Sequence, residues 1–342
     1  MPPKIYVLKL NPPTTESPAL TADPAIVRRR AYLALAAICI IWGTTYTAIK
    51  LAVRDFPPFM LVGLRQTIAG LFLLLLAFGN RRWQVAKART TPAVNTEKEP
   101  APTVLTPKYV LRQLLTGLFT ITGGNGFITW GMQYVSTGLA SLIGSLTPVF
   151  VLLITLTWGH TERVTLRTVV GVLLGFSGLA LIFSHGWQDF LKPEYRWGIA
   201  GCFASCFTWS VGTVMAKRWN SPAVSPLLNA GLQITAGGLG GFTLSALLDT
   251  SHTIHPTTTG WLAFIYLVTI GSAVAFTLYM FALKHLSATV TSLYTYINPT
   301  VAILLGWLFL NEVLTIWELL GMSVTIAGVW LVNTAQPAKQ SP

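Results

Sequence analysis

The sequence predicts an all-α integral membrane protein with ten transmembrane helices, built from two inverted five-helix repeats. Three observations predict this fold class: a scarcity of charge, ten long apolar blocks, and a likeness between the two halves of the chain. Of the 342 residues, 52% are apolar and 10% are charged, whereas a soluble domain is about 25% charged. So few charges cannot cover a water-facing surface of this length.

The apolar blocks are of the length that crosses a membrane, since a helix needs about 20 residues to span the hydrocarbon core. The ten blocks are 31–52, 58–79, 110–133, 137–158, 164–184, 197–216, 226–248, 260–282, 287–309 and 316–333. The connections are mostly short. The exception, 80–109, is rich in Arg, Lys, Thr and Pro, which predicts a solvated cytoplasmic loop. Residues 1–30 and 335–342 are predicted to be tails, and the first of them disordered.

The basic residues predict the orientation. The net charge is +12, but the basic residues stand between apolar blocks, so they indicate topology and no role with nucleic acid. Cytoplasmic loops of membrane proteins carry the excess of Lys and Arg. With a cytoplasmic N-terminus, 18 basic residues fall inside and four outside, while Arg65 lies within a span. We therefore expect a multi-pass protein of a bacterial cytoplasmic membrane with both termini cytoplasmic.

The two halves resemble each other. Residues 42–50 (WGTTYTAIK) match 209–217 (WSVGTVMAK), with Trp and Lys eight positions apart in both. Further along, Ser136, Ser141, Leu142 and Pro148 align with Ser287, Ser292, Leu293 and Pro299. The repeats are predicted to cover 31–184 and 185–334. Each holds five helices, and because five is odd the second copy enters the membrane from the opposite side. Inverted repeats are typical of transporters that bind a substrate near the midplane between halves.

The chain resembles the drug/metabolite transporter superfamily, specifically EamA-like transporters with ten helices. The resemblance rests on WGTTYTAIK, on the block AFTLYMFALKHLSATVTSLYTYINPTVAILLGWLFLNE (275–312), and on QYVSTGLASLIGSLTPVFVLL (133–153). It implies export of amino acids or related metabolites, often driven by protons. The small multidrug relatives use an acidic residue in the first helix, and none stands between Arg30 and Asp55. Proton coupling therefore stays open, as does the choice between a monomer and a homodimer.

Two alternatives stay open at this stage. Related ten-helix exchangers carry sugar phosphates or nucleotide-sugars, but a dianionic phosphate calls for two or more converging cations, and only Arg65 and the more superficial Lys50 are available. A membrane-embedded transferase is the third interpretation, although we find neither a Walker motif nor a Ser-His-acid pattern. No enzyme activity or cofactor is predicted. No metal site is predicted either, because Cys202 and Cys206 fit buried thiols.

Polar and aromatic residues on helical stripes predict a cavity between the halves, since such groups in lipid need a non-lipid partner. Arg65 is the candidate for holding a substrate carboxylate; bonding to helix-end carbonyls is the alternative. The candidate cavity residues are Trp42, Tyr46, Arg65, Asn125, Thr129, Trp209, Tyr279, Tyr294 and Tyr296. Pro148 and Pro299 are predicted mid-helix kinks that free the carbonyls of Gly144 and Thr295. Glu318 is interpreted as part of a helix-capping box with Thr315.

Overall fold

The protein is nearly all helical in the computed structural model, which describes residues 23–90, 105–158, 164–184, 192–221, 223–310 and 315–335. The first half has helices α1 (Pro24–Ala52), α2 (Pro58–Thr90), α3 (Pro107–Gly117), α4 (Gly126–Gly131), α5 (Thr137–Gly144), α6 (Thr147–Trp158) and α7 (Leu166–Ile182). The second half has α8 (Arg196–Arg218), α9 (Pro226–Leu248), α10 (Thr258–Tyr266), α11 (Ala275–His285), α12 (Ala288–Ser292), α13 (Tyr294–Leu310) and α14 (Ile316–Thr334).

Within the described ranges, seven helical segments are long and apolar enough to cross a membrane. The chain is therefore a multi-pass membrane protein, as the composition predicts. The other three predicted spans are also helical, but each is shorter or interrupted. The block 110–133 is divided among α3, a π-helical segment and α4; α7 has 17 residues; and 287–309 is divided between α12 and α13.

Two predicted boundaries are wrong. Residues 24–30 belong to α1, because the Asp23 side chain accepts a hydrogen bond from the Ala25 amide and Pro24 starts the helix, a favoured N-terminal pairing. The loop predicted from residue 80 begins later, since α2 continues to Thr90. Residues 80–90 contain mostly good helix formers, so they extend the helix beyond the apolar block. Residues 91–104 of that predicted loop lie outside the described residues, and its last three residues belong to α3, which begins at Pro107.

Four spans are not regular α-helices. π-helical segments of eight residues occupy Leu118–Asn125, between α3 and α4, and Leu267–Val274, between α10 and α11. A break at Ser145–Leu146 separates α5 from α6, and one at Leu293 separates α12 from α13. Pro148 therefore lies in the first turn of α6, where a proline is tolerated, and the prediction that it kinks mid-helix is wrong. Pro299 does lie inside α13.

α2 and α9 form a closely packed helix pair through small residues. A Cβ atom added to Gly70 would overlap Thr235 of α9, and one added to Gly238 would overlap Thr67 of α2. Gly63 meets Phe242, and, with the helices exchanged, Gly231 meets Leu74. Small residues let membrane helices approach closely enough for van der Waals contact along their backbones. The contacts of this pair are thus reciprocal.

α7 and α14 pair in the same reciprocal way. Gly171 meets Val332 of α14, and Gly321 of α14 meets Ile182 of α7. α1 and α8 each pack against a separate group of elements, and we call these two groups bundles. In the α1 bundle, α1 packs against α10, α11, α13 and the π segment 267–274; in the α8 bundle, α8 packs against α4, α5, α6 and the π segment 118–125.

The connections 53–57 and 249–257 meet at one end of the molecule, which we call the 53–57 face. Asp249 accepts hydrogen bonds from the first amides of α2, those of Phe59 (3.3 Å) and Met60 (2.9 Å). Asp55 in turn accepts from the Thr257 hydroxyl (2.6 Å) and amide (2.9 Å) at the start of α10. The hydrogen bonds from Thr257 lower the pKa of the Asp55 carboxyl. The 249–257 connection thus caps the start of α2, and the 53–57 connection caps the start of α10.

We expect Gly70→Leu to destabilise the protein by about 1–3 kcal/mol, because overpacking a tight contact forces side chains and backbone apart. Thermal unfolding in detergent micelles measures the change. Gly79→Leu is the matched control on the same helix, since a Cβ there meets nothing within 4 Å. Equal melting temperatures for the two variants would contradict the close packing of α2 on α9.

Candidate functional site

A cavity lies where α1, α2, α8, α13 and the two π-helical segments converge. The space open to the centres of water molecules is about 90 Å³, several times the roughly 10–15 Å³ that one water needs. It is lined by Trp42, Thr45, Tyr46, Ile49, Arg65, Gln66, Gly124, Asn125, Ile128, Gly144, Thr147, Ser205, Cys206, Trp209, Gly271, Ser272, Phe276, Tyr294, Thr295 and Asn298.

Arg65 is the cation among the cavity's lining residues and is 2% exposed. Its Nη2 donates to Asn125 Oδ1 at 2.6 Å and its Nη1 to Ser272 Oγ at 3.1 Å. Asn125 ends the first π segment and Ser272 lies in the second, so the guanidinium bridges the two segments. Both partners are neutral, and Nε has none. No carboxylate among the described residues pairs with it, which leaves a buried charge uncompensated.

Two further polar atoms in the cavity wall are unpaired. Gln66 Oε1 and Trp209 Nε1 are buried and have no hydrogen-bond partner. A buried acceptor or donor without a partner costs about 1–3 kcal/mol, so native proteins keep few of them. Together with Arg65 Nε, the wall offers two unused donors and one unused acceptor. Such a set suits a small ligand that carries both an acceptor and a donor.

Aromatic rings form a second part of the wall. The Trp42 ring lies 4.6 Å from Tyr294, 5.4 Å from Tyr279 and 5.5 Å from Trp209, measured between centroids. Trp209 also contacts Phe276, at 6.3 Å. Ring faces of this kind pack against apolar groups and attract cations. The cavity therefore combines a cationic, hydrogen-bonding side with an aromatic side.

Side chains from α1 and α8 satisfy carbonyls of the π segments. Trp42 Nε1 donates to the Gly271 carbonyl at 3.1 Å, and Ser205 Oγ donates to the Gly124 carbonyl at 2.6 Å. π-helical turns interrupt the regular hydrogen-bond ladder and are frequent at functional sites. Irregular backbone within a membrane is tolerated where it faces protein or a wet cavity. Both π segments fit that description.

The structure brings six of the nine sequence-predicted candidates to the cavity. They are Trp42, Tyr46, Arg65, Asn125, Trp209 and Tyr294. Three lie outside its lining. The Tyr279 hydroxyl bonds to Thr213 at 2.6 Å behind the aromatic wall, and the Tyr296 hydroxyl donates to the Val172 carbonyl at 2.8 Å, against α7. Thr129 is fully buried and its hydroxyl is unpaired. The π segment shifts the helical phase after Asn125, so Thr129 leaves the predicted stripe.

The predicted kinks also differ in their surroundings. The Gly144 carbonyl accepts from the Thr147 hydroxyl at 2.7 Å, so it is already occupied. Thr295 lines the cavity, and its carbonyl lacks an i+4 amide partner because that position is Pro299.

Sequence reasoning missed several lining residues, chiefly Gln66, Thr147, Ser272 and Asn298. Gln66 follows the candidate Arg65 directly, and its polar side-chain amide within an apolar block could have identified it from the sequence. Glu318 is as predicted: its carboxylate accepts from the Thr315 amide at 2.7 Å while its own amide donates to Thr315 Oγ1 at 3.2 Å. That capping box is present in the structure.

The chain matches the model of the EamA-like transporter family twice, over residues 29–184 and 196–334. It is 29% identical to the inner membrane transporter YedA of Escherichia coli (strain K12), with 90% of this chain and 92% of YedA covered. It is 27% identical to the transporter YvbV of Bacillus subtilis (strain 168), covering 92% and 95%.

A solved structure titled "Crystal structure of protein" shares the fold. The TM-score is 0.66 at 20% sequence identity, over 91% of this chain and 99% of that one. Two family matches that together span most of the sequence, and relatives named as transporters over nearly their whole length, establish what kind of protein this is. The chain belongs to the EamA-like transporter family and is a membrane transporter.

Proposed function

We propose that the protein exports amino acids or related small carboxylate metabolites across a bacterial cytoplasmic membrane, by alternating access between two inverted five-helix repeats. The observation that carries the proposal is the buried guanidinium of Arg65, which lies in the cavity wall with neutral partners only. A substrate carboxylate would supply the missing negative charge. Arg is well suited to a carboxylate because its planar donors match both oxygens.

Ten spans in two inverted repeats are part of this proposal. The family model matches the two halves separately. In addition, the glycine contacts between α2 and α9, and those between α7 and α14, recur with the helices exchanged. Reciprocal contacts are what a two-fold relation between halves produces. The repeats place a site near the midplane between them and allow one half to rock against the other.

The cavity favours an amino acid over the alternatives. Its unused donors and acceptor match a carboxylate and an ammonium group, and the rings of Trp42, Trp209 and Tyr294 can pack against a side chain. A sugar phosphate or nucleotide-sugar would require more than the one cation that lines the cavity among the described residues. Export as the direction comes from the family resemblance alone. Recovery of unmodified solute after transport in liposomes separates a transporter from a membrane-embedded transferase.

We expect Arg65→Gln to weaken the binding of a carboxylate substrate by about 1.5–3 kcal/mol, because hydrogen bonds to a charged group are worth that much. Asn125→Leu should weaken it by about 1–3 kcal/mol, since it removes a polar lining group and one partner of Arg65. A thermal-shift screen of amino acids identifies a ligand, and calorimetry then gives its Kd.

The control for these variants is Tyr296→Phe. It removes a buried hydrogen bond outside the cavity lining, so it should lower the melting temperature and leave Kd as in the parent. Parent-like affinity in both Arg65→Gln and Asn125→Leu would refute the site. Tighter binding of neutral amide analogues than of carboxylates would refute the proposed substrate class.

The orientation is tested separately. With both termini cytoplasmic, the connection between α8 and α9 is cytoplasmic, as is the 80–109 region. A cysteine placed at Ser221 should react with an impermeant maleimide only after spheroplasts are permeabilised. A cysteine at Thr253, in the connection between α9 and α10, should react without permeabilisation. The reverse pattern would overturn the proposed topology.

Proton coupling is the remaining part of the proposal. No carboxylate or imidazole lines the cavity in the part of the chain that the structure describes, and Glu318 serves as a helix cap. We expect Glu318→Gln to cost about 0.5–2 kcal/mol of stability, the usual range for a lost cap, and to transport as the parent does. Transport into liposomes with and without an imposed pH gradient is the measurement. Loss of gradient-driven uptake in a folded Glu318→Gln protein would assign Glu318 to coupling.

A further inference from the structure

Two lysines at equivalent positions make the same contact at opposite faces. Lys50 and Lys217 stand eight residues after Trp42 and Trp209, near the ends of α1 and α8. Lys50 Nζ donates to the carbonyls of Met132 (2.6 Å) and Val135 (2.9 Å), just beyond α4. Lys217 Nζ donates to the carbonyls of Leu283 (2.7 Å) and Leu286, at the end of α11.

Each contact joins one bundle to the other. α1 packs in the α1 bundle, yet Lys50 reaches the end of α4, which belongs to the α8 bundle. Conversely, α8 packs in the α8 bundle, while Lys217 reaches the end of α11 in the α1 bundle. The Lys50 contact lies at the 53–57 face and the Lys217 contact at the opposite one. The cavity lies between the two contacts, since Trp42 of α1 and Trp209 of α8 both line it.

The chemistry suits a contact that forms and breaks. The last carbonyls of a helix have no partner within the helix, and they carry its partial negative charge. A lysine ammonium satisfies two of them at once through charge-assisted bonds. Both lysines are half-buried, so water can replace either partner when the helices part. A fully buried pair would resist opening far more strongly.

We propose that Lys50 and Lys217 are the two gating residues of the transport cycle: Lys50 holds the cavity closed toward the 53–57 face, and Lys217 holds it closed toward the opposite face. The inference rests on the proposed alternating access. Both contacts are made in this structure. Opening toward either face releases the lysine of that face and keeps the other.

Spin-label distances in nanodiscs, without any substrate, test this proposal in the full-length chain. The three native cysteines are buried and are replaced by alanine in the background. The pair Val53→Cys and Tyr134→Cys reports separation of the bundles at the 53–57 face. The pair Ser221→Cys and His285→Cys reports separation at the opposite face.

Lys50→Met should shift the population at the 53–57 face toward long distances by about tenfold and leave the opposite face at the parent distribution. Lys217→Met should shift the population at the opposite face toward long distances and leave the 53–57 face at the parent distribution. Lys50→Arg and Lys217→Arg should restore the parent distributions, since arginine can also donate to two carbonyls. A variant that does not fold is replaced by Lys→Gln, whose short neutral amide cannot bridge both carbonyls.

Arg218→Met is the matched control. Arg218 is adjacent to Lys217 and also caps a helix end, donating to the Trp158 carbonyl at 2.8 Å, but α8 and α6 belong to the same bundle. It should leave both distances unchanged. Unchanged distances in both lysine variants, or the same face opening in both, would overturn the proposal. Because no substrate is used, that result would not bear on the carboxylate site at Arg65, which is tested separately by substrate binding.

Discussion

A guanidinium buried without a carboxylate is the interaction around which the rest of this site is arranged. An isolated charge in a low-dielectric interior is costly, so Arg65 is tolerated only because Asn125 and Ser272 accept its hydrogen bonds. Those partners come from two π-helical segments, and a regular helix would have aimed both residues differently. The geometry of the π segments and the position of the charge therefore depend on each other.

The need to surround this charge with polar and aromatic side chains also separates the closely packed helix pairs from the contacts around the cavity. Where α2 and α9 meet through glycine, as Gly70 meets Thr235, the backbones approach closely and no room remains for a ligand. Where they meet through bulky aromatic and polar side chains, around Trp42 and Arg65, they stand apart and leave a cavity. Close packing of α2 on α9 and of α7 on α14 provides the rigid contacts. In the proposed transport cycle, the looser contacts between the α1 and α8 bundles are the ones that change.

Much of this arrangement was readable in the sequence, because hydrophobicity and loop charge determine which segments enter a membrane. The candidates Trp42, Arg65, Asn125 and Trp209 were found because polar and aromatic groups stand out in apolar blocks. The failures share a cause. Thr129 and Pro148 were placed by assuming unbroken α-helices, and neither the π turn after Leu118 nor the break at Ser145 leaves a clear mark in the sequence. Helix phase beyond such a break is set by tertiary contacts.

The family model matches both halves of the chain, yet the halves differ in chemistry, and the difference is informative. Gln233 occupies in α9 the place that Arg65 holds in α2, yet it donates to Gln113 at 2.7 Å and lies outside the cavity lining. Lys50 and Lys217, by contrast, keep both their identity and their contacts. In the proposed transport cycle, a residue that recognises the substrate is needed once, because one site would serve both faces in turn. A residue that closes a face is needed twice, once at each end, and this is the role we propose for the paired lysines.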